Sequence, residues 1–124
     1  LALRWIDNAK NDQNSLDRFL KMWFAIETLI MPDTSNIKPV QSFLQSAYKM
    51  DMSEVKKVFN IGKICSLRSQ IVHHGKNVGI HFQLTEYLKA IIHDYLNVIC
   101  GMNFHGIALM IINDKEYPAH EWMP

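Results

Sequence analysis

The chain contains few features that would mark a specialised class. Its two cysteines, Cys65 and Cys100, form no CxxC pair and no other metal-ligand spacing. That argues against a disulfide-stapled scaffold and against a thiolate metal centre. Both cysteines lie in apolar helical sequence and read as buried free thiols of a reducing compartment. No apolar run approaches the ~18 residues of a membrane span, and no basic-then-apolar segment opens the chain. A cytoplasmic protein without a membrane partner is therefore expected. Repeats, low-complexity tracts and internal linkers are also missing. The formal net charge is only +1, so no global field draws the chain to nucleic acid.

What is present suits an ordinary globular domain. The hydrophobic share is 48% and the charged share 20% over 124 residues, which suffices for one core and predicts a single domain over 1–124. The chain starts on Leu1 in helix-like sequence, as an excised domain or fragment of a longer protein would. Charge is locally uneven. Between Ser53 and Asn77 stand Lys56, Lys57, Lys63, Arg68 and Lys76 against a single acid, Glu54. The C-terminal stretch with Asp114, Glu116 and Glu121 leans acidic.

Helical periodicity dominates the chain. Leu1, Leu3, Trp5, Ile6 and Ala9 suggest a short first helix. Asn14 or Ser15 would cap a second, with Leu16, Phe19, Leu20, Trp23, Ile26 and Ile30 on its apolar side and Pro32 as its stop. Pro39 suits the first turn of a third helix carrying Val40, Phe43, Leu44, Ala47 and Tyr48. A fourth, capped by Ser53, runs to Gly75, and a fifth spans roughly Ile80 to Cys100. The run IALMII beyond it fits either a strand or a final helical turn. The expected fold is all-α: a compact antiparallel bundle of about five helices with a short irregular or strand-like C-terminal extension. Trp5, Trp23, Phe24, Phe59 and Tyr95 sit at core spacing and read as packing residues, and Trp122 as a cover for the bundle's edge.

The stretch LRSQIVHHG, residues 67–75, collects a permanent cation and two titratable rings at one helix end. A histidine with its ordinary pKa of ~6.5 can move protons at neutral pH. An arginine offers a planar fork for phosphate oxygens. Arg68 with His73 or His74 is therefore a minimal kit for metal-free RNA cleavage. In a straight helix, however, Arg68 and His73 lie about 140° and 7.5 Å apart, and His74 falls on the Leu67 and Gln70 side, so they converge only where the long arginine reaches round or the helix frays or tightens before Gly75. Read from spacing alone, the histidines better suit a helix C-terminus, where cations complement the macrodipole, with Arg68 as a snorkelling surface residue. Glu27 adds a second signal. It follows the stripe Leu16, Leu20, Trp23, Glu27, Ile30, where a carboxylate needs a partner or the stripe's wet edge. Arg68 is the candidate partner.

The helix RFLKMWFAIETLI with its inward Glu27, and LRSQIVHHG with an arginine, four or more residues, a histidine and a glycine, together resemble the HEPN superfamily and most of all its ApeA-like branch. The likeness covers roughly residues 14–100. It implies a helical bundle that dimerises and brings two copies of the motif into a shared cleft. It also implies metal-independent endoribonuclease activity of the toxin or antiviral-defence type, with no cofactor and with RNA such as tRNA as substrate. Regulation by an inhibitory partner protein or by further domains of the longer chain goes with that type. By position, Arg68 would stabilise the phosphate, His73 or His74 would be catalytic, and Glu27 would position Arg68. Lys63 and Lys76 would contact RNA. Ser69 departs from the pattern, because the nuclease members often carry Asn, Asp or His after the arginine. A non-catalytic module for dimerisation or for binding nucleotide or RNA is the alternative. A metal site from His73, His74 and His81 is a weaker reading, since no cysteine or carboxylate completes the set. His93, His105 and His120 have no partners at diagnostic spacing.

Overall fold

The computed structural model describes residues 2–76 and 78–124, with side chains described from residue 14 onward. Its elements are α1 (Ala2–Ile30), α2 (Lys38–Tyr48), α3 (Met52–Phe59), α4 (Ile61–His74), α5 (Phe82–Ile99), α6 (Ile107–Ile112) and α7 (Ala119–Trp122). Among the described residues every regular element is helical, so the fold is all-α and bundle-like. No helix among them is long and apolar enough to cross a membrane.

The expected boundaries change in four places, each for a local reason. The first two expected helices are one continuous helix, α1. Ser15 is therefore no cap: its hydroxyl accepts the Ile80 N–H at 3.2 Å and ties α1 to the segment entering α5. The side chains of Leu1, Leu3, Trp5, Ile6 and Ala9 lie outside the described residues. The expected fourth helix is broken at Asn60, which adopts a left-handed φ of 52° and separates α3 from α4. Asparagine tolerates that region better than most residues. The cap of α3 is Asp51 and not Ser53, with its carboxylate accepting the Glu54 N–H at 2.8 Å. Finally, IALMII is helix α6 and not a strand. Pro39 lies in the first turn of α2, and Gly75 ends α4 with φ 63°, both as the sequence predicts.

Helix α5 is the spine. It buries Leu84, Tyr87, Leu88, Ala90, Ile91 and the carboxylate of Asp94, and it packs on α1 and α6. Phe43 of α2 meets Tyr95 edge-on at 5.2 Å between ring centroids. Trp122 of α7 lies 5.5 Å from Tyr87, and its indole N–H donates to the Tyr117 carbonyl, so it covers the bundle's edge as expected. The Tyr87 hydroxyl donates to the Phe59 carbonyl at 2.8 Å. This answers a carbonyl left open where α3 stops, and burial pushes that hydroxyl's pKa well above its ordinary value. Of the expected core aromatics, Trp23 and Phe59 are buried, whereas Phe24 lies on the solvent side of α1 and is 65% exposed.

A buried carboxylate organises the other end of α5. Asp94 is fully buried and accepts N–H groups from Ile107 and Ala108, each at 3.0 Å, and the Tyr48 hydroxyl at 2.6 Å. The same hydroxyl oxygen accepts the Leu109 N–H at 3.2 Å. The first turn of α6 is thus capped by side chains from α5 and α2, and no side chain next to it in sequence does so. Burial and the Asp94 hydrogen bond raise the Tyr48 pKa far above the phenol range. Replacing Asp94 by Ala strands two amide N–H groups and the Tyr48 hydroxyl, and is expected to cost about 3–5 kcal/mol in urea unfolding. Tyr48→Phe, which keeps the ring, should cost only about 1 kcal/mol.

Candidate functional site

The polar end of α4 is built by helix phase. Ile61, Ile64 and Ile71 face the core, which puts Arg68 at the rim of the buried side, facing α1. There its Nη2 lies 3.6 Å from Glu27 Oε1, with both side chains 30% exposed. The two alternatives for Glu27 therefore merge, since it pairs with Arg68 and also sits at the wet edge of its stripe. A single contact at this distance uses only part of the guanidinium fork and leaves other N–H groups directed elsewhere. Cys65, one turn before Arg68, shares this neighbourhood. Burial raises its thiol pKa, the Arg68 charge opposes that rise, and Glu27 adds to it. Its spacing of three from Arg68 is the sequence signal for this placement, whereas its apolar context alone suggests core.

His73 and His74 occupy the last turn of α4 and are exposed, as is Gly75 after them. Because α4 is a regular helix to its end, the two rings project about 120–140° away from the Arg68 direction. Within one chain the structure joins Arg68 to Glu27 and does not join it to either histidine. Ser69 is half-buried beside them.

The two candidate RNA-contacting lysines do meet. Lys63 and Lys76 line one groove of about 510 Å³, together with Leu67, Gln70, Ile80 and Trp122. The Lys76 backbone N–H donates to the Gln70 carbonyl at 3.3 Å, and its Nζ donates to Gln70 Oε1 at 3.0 Å, so Gln70 holds this lysine over the groove at both ends. His74, four residues after Gln70 and seven after Leu67, shares that face of α4 by helical spacing. Arg68, His73 and His74 are not among the residues that line the groove. Glu121 also lines the groove and adds a carboxylate to it.

His81 is not available as a metal partner for His73 and His74 in the way its sequence position suggests. Its Nδ1 accepts the Gln83 N–H at 3.0 Å as the cap of α5, and its ring stacks on Phe82. Among the described residues no three metal-ligating side chains gather. His93, His105 and His120 are exposed. The cysteines are free, but the expectation that both are buried fails. Cys65 is half-buried and Cys100, beyond the last turn of α5, is exposed.

Fold and site together define a small all-helical domain with a cationic, histidine-bearing helix end and an arginine held by a neighbouring helix. Beyond that class, no protein-family model, curated protein or solved structure matches the chain.

Two outcomes are expected. Glu27→Gln and Arg68→Gln should each shift the free energy of unfolding by less than about 1 kcal/mol, because the pair is long and partly solvated. A double-mutant cycle in urea measures the coupling. With a thiol-reactive disulfide reagent, Cys100 should label first and Cys65 markedly later, as its exposure and raised pKa require.

Proposed function

We propose that this domain is a metal-independent endoribonuclease of HEPN type that acts in the cytoplasm as a homodimer on RNA such as tRNA. The observation that carries the reading is the Glu27–Arg68 pair. In it a carboxylate meets an arginine on the same helix that ends in two solvent-facing histidines. In the reaction, one histidine takes the proton from a ribose 2′-hydroxyl and the O2′ attacks phosphorus. The bond from phosphorus to O5′ then breaks, and a second histidine returns a proton to the leaving oxygen. The products are a 2′,3′-cyclic phosphate and a free 5′-hydroxyl. Arg68 stabilises the charge that builds on the phosphoryl oxygens, and Lys63 and Lys76 hold the strand.

Because Arg68 and the histidines leave α4 in different directions, one chain does not assemble this centre. A second copy that pairs α4 against α4 supplies the missing group from across a two-fold axis. The same separation favours a second reading, a HEPN-type module that dimerises or binds nucleotide or RNA without cutting it. Ser69 in place of a more polar residue points the same way.

Full-length protein incubated with tRNA in EDTA should yield fragments ending in cyclic phosphate. Arg68→Ala and the double variant His73→Ala/His74→Ala should slow cleavage by about 100-fold or more. Intact tRNA with wild-type protein, or equal cleavage by these variants, would sink the nuclease reading. Tight RNA binding without turnover would select the second, and a monomer in sedimentation would count against both.

A further inference from the structure

Nine large apolar side chains are exposed among the described residues, and five of them, Val98, Ile99, Met102, Phe104 and Met110, fall between residues 98 and 110. The other four are spread over α1, α4 and α5. Two of the five, Phe104 and Met110, also share one surface feature. This is a trough of about 670 Å³ between the end of α2 and α6, formed by Tyr48, Lys49, Phe104, His105, Leu109 and Met110. Phe104 and Met110 remain open to solvent, so the trough suits a segment lying across it better than an enclosed small molecule.

Its walls are held in place before anything binds. Tyr48 is fixed by hydrogen bonds to Asp94 and from Leu109, and Phe104 packs edge-on against the Tyr48 ring at 5.0 Å. A preformed surface loses little entropy on binding. Met110, 65% exposed, supplies an adaptable contact. Lys49 is the one permanently charged group lining the trough. Lys49 and His105 are its only ionisable lining groups besides the Tyr48 phenol, and no carboxylate lines it. Asp94 lies buried beneath with its oxygens engaged by α6 and Tyr48. A second copy of the chain docked face to face would set Lys49 and His105 against the same residues, with no acid in the patch to answer them.

We propose that the trough docks an amphipathic helical segment of another protein, one that presents apolar side chains at i and i+3 or i+4 flanked by Asp or Glu. The apolar groups lie along Phe104, Leu109 and Met110, and the acids meet Lys49 and His105. This surface is separate from the α4 groove and stands whether or not the domain cleaves RNA.

The test is a selection of random 16-residue displayed peptides on the purified full-length protein, followed by fluorescence anisotropy with the enriched sequences. Enriched peptides should carry helically spaced Leu, Ile, Phe or Trp with Asp or Glu between them. Met110→Asp should weaken them about tenfold or more. Lys49→Gln/His105→Gln should weaken them severalfold and flatten their salt dependence. All three changes fall at exposed positions, and thermal melts confirm that the variants fold. The proposal is overturned if no sequence is enriched, if basic peptides win, or if the selected peptides bind Met110→Asp as well as wild type. Self-association abolished by Met110→Asp would assign the face to a second copy instead. Binding to phosphatidylserine vesicles abolished by the same change would assign it to a lipid surface.

Discussion

A carboxylate removed wholly from water needs its lone pairs answered by hydrogen-bond donors, and Asp94 is answered by Tyr48 and by two amides of α6. That requirement fixes three elements at once. It sets where α2 ends against α5, because the Tyr48 ring must deliver its hydroxyl. It also sets where α6 begins, because only amides freed at a helix start can supply the remaining donors. Gly106 allows the turn, entering α6 with φ 64°, a conformation that costs a side-chain-bearing residue more. The hydroxyls of Tyr48 and Tyr87 do related work on either side of Phe59, one accepting the open Leu109 N–H of α6 and the other donating to the open carbonyl of α3.

Around this core the polar chemistry is divided by helix phase. One side of α4 faces α1, and there Arg68 meets Glu27 beside Cys65. The other side faces the loop into α5 and the C-terminal turn, and there Lys63, Gln70 and Lys76 line a groove. The two sides belong to one helix but point apart, so the proposed cleavage, which needs the arginine and a histidine together, draws them from two copies of α4. A homodimer is therefore part of the chemical proposal itself and not an addition to it.

Much of the architecture was legible because it rests on local signals. Apolar spacing marked Leu16 through Ile30, Pro39 marked the start of α2, and Gly75 closed α4. The Glu27–Arg68 pair was also readable, since each residue breaks an apolar stripe that packing would otherwise fill. What could not be read depended on distant partners or on single residues. Asn60 breaks the helix by one left-handed residue, and the apolar pattern runs through Phe59 and Ile61 with little sign of it. Ser15 has the chemistry of a cap, yet its hydroxyl serves Ile80 because α1 continues past it. Asp51 and Ser53 are both good caps two residues apart, and local sequence did not decide between them. The helical state of IALMII depends on Asp94 and Tyr48, neither of which is near it in sequence.

That last dependence bears on the order of assembly. A helix of six residues has no stability of its own, since nucleation is costly and few bonds follow it. The donors in its first turn bond across separations of 61 residues, to Tyr48, and of 13 and 14 residues, to Asp94. Contacts that close so much chain form after local ones. Helix α6 therefore needs α2 and α5 already in contact, and the trough beside it exists only where all three elements have met. A segment that docks there would recognise the assembled domain.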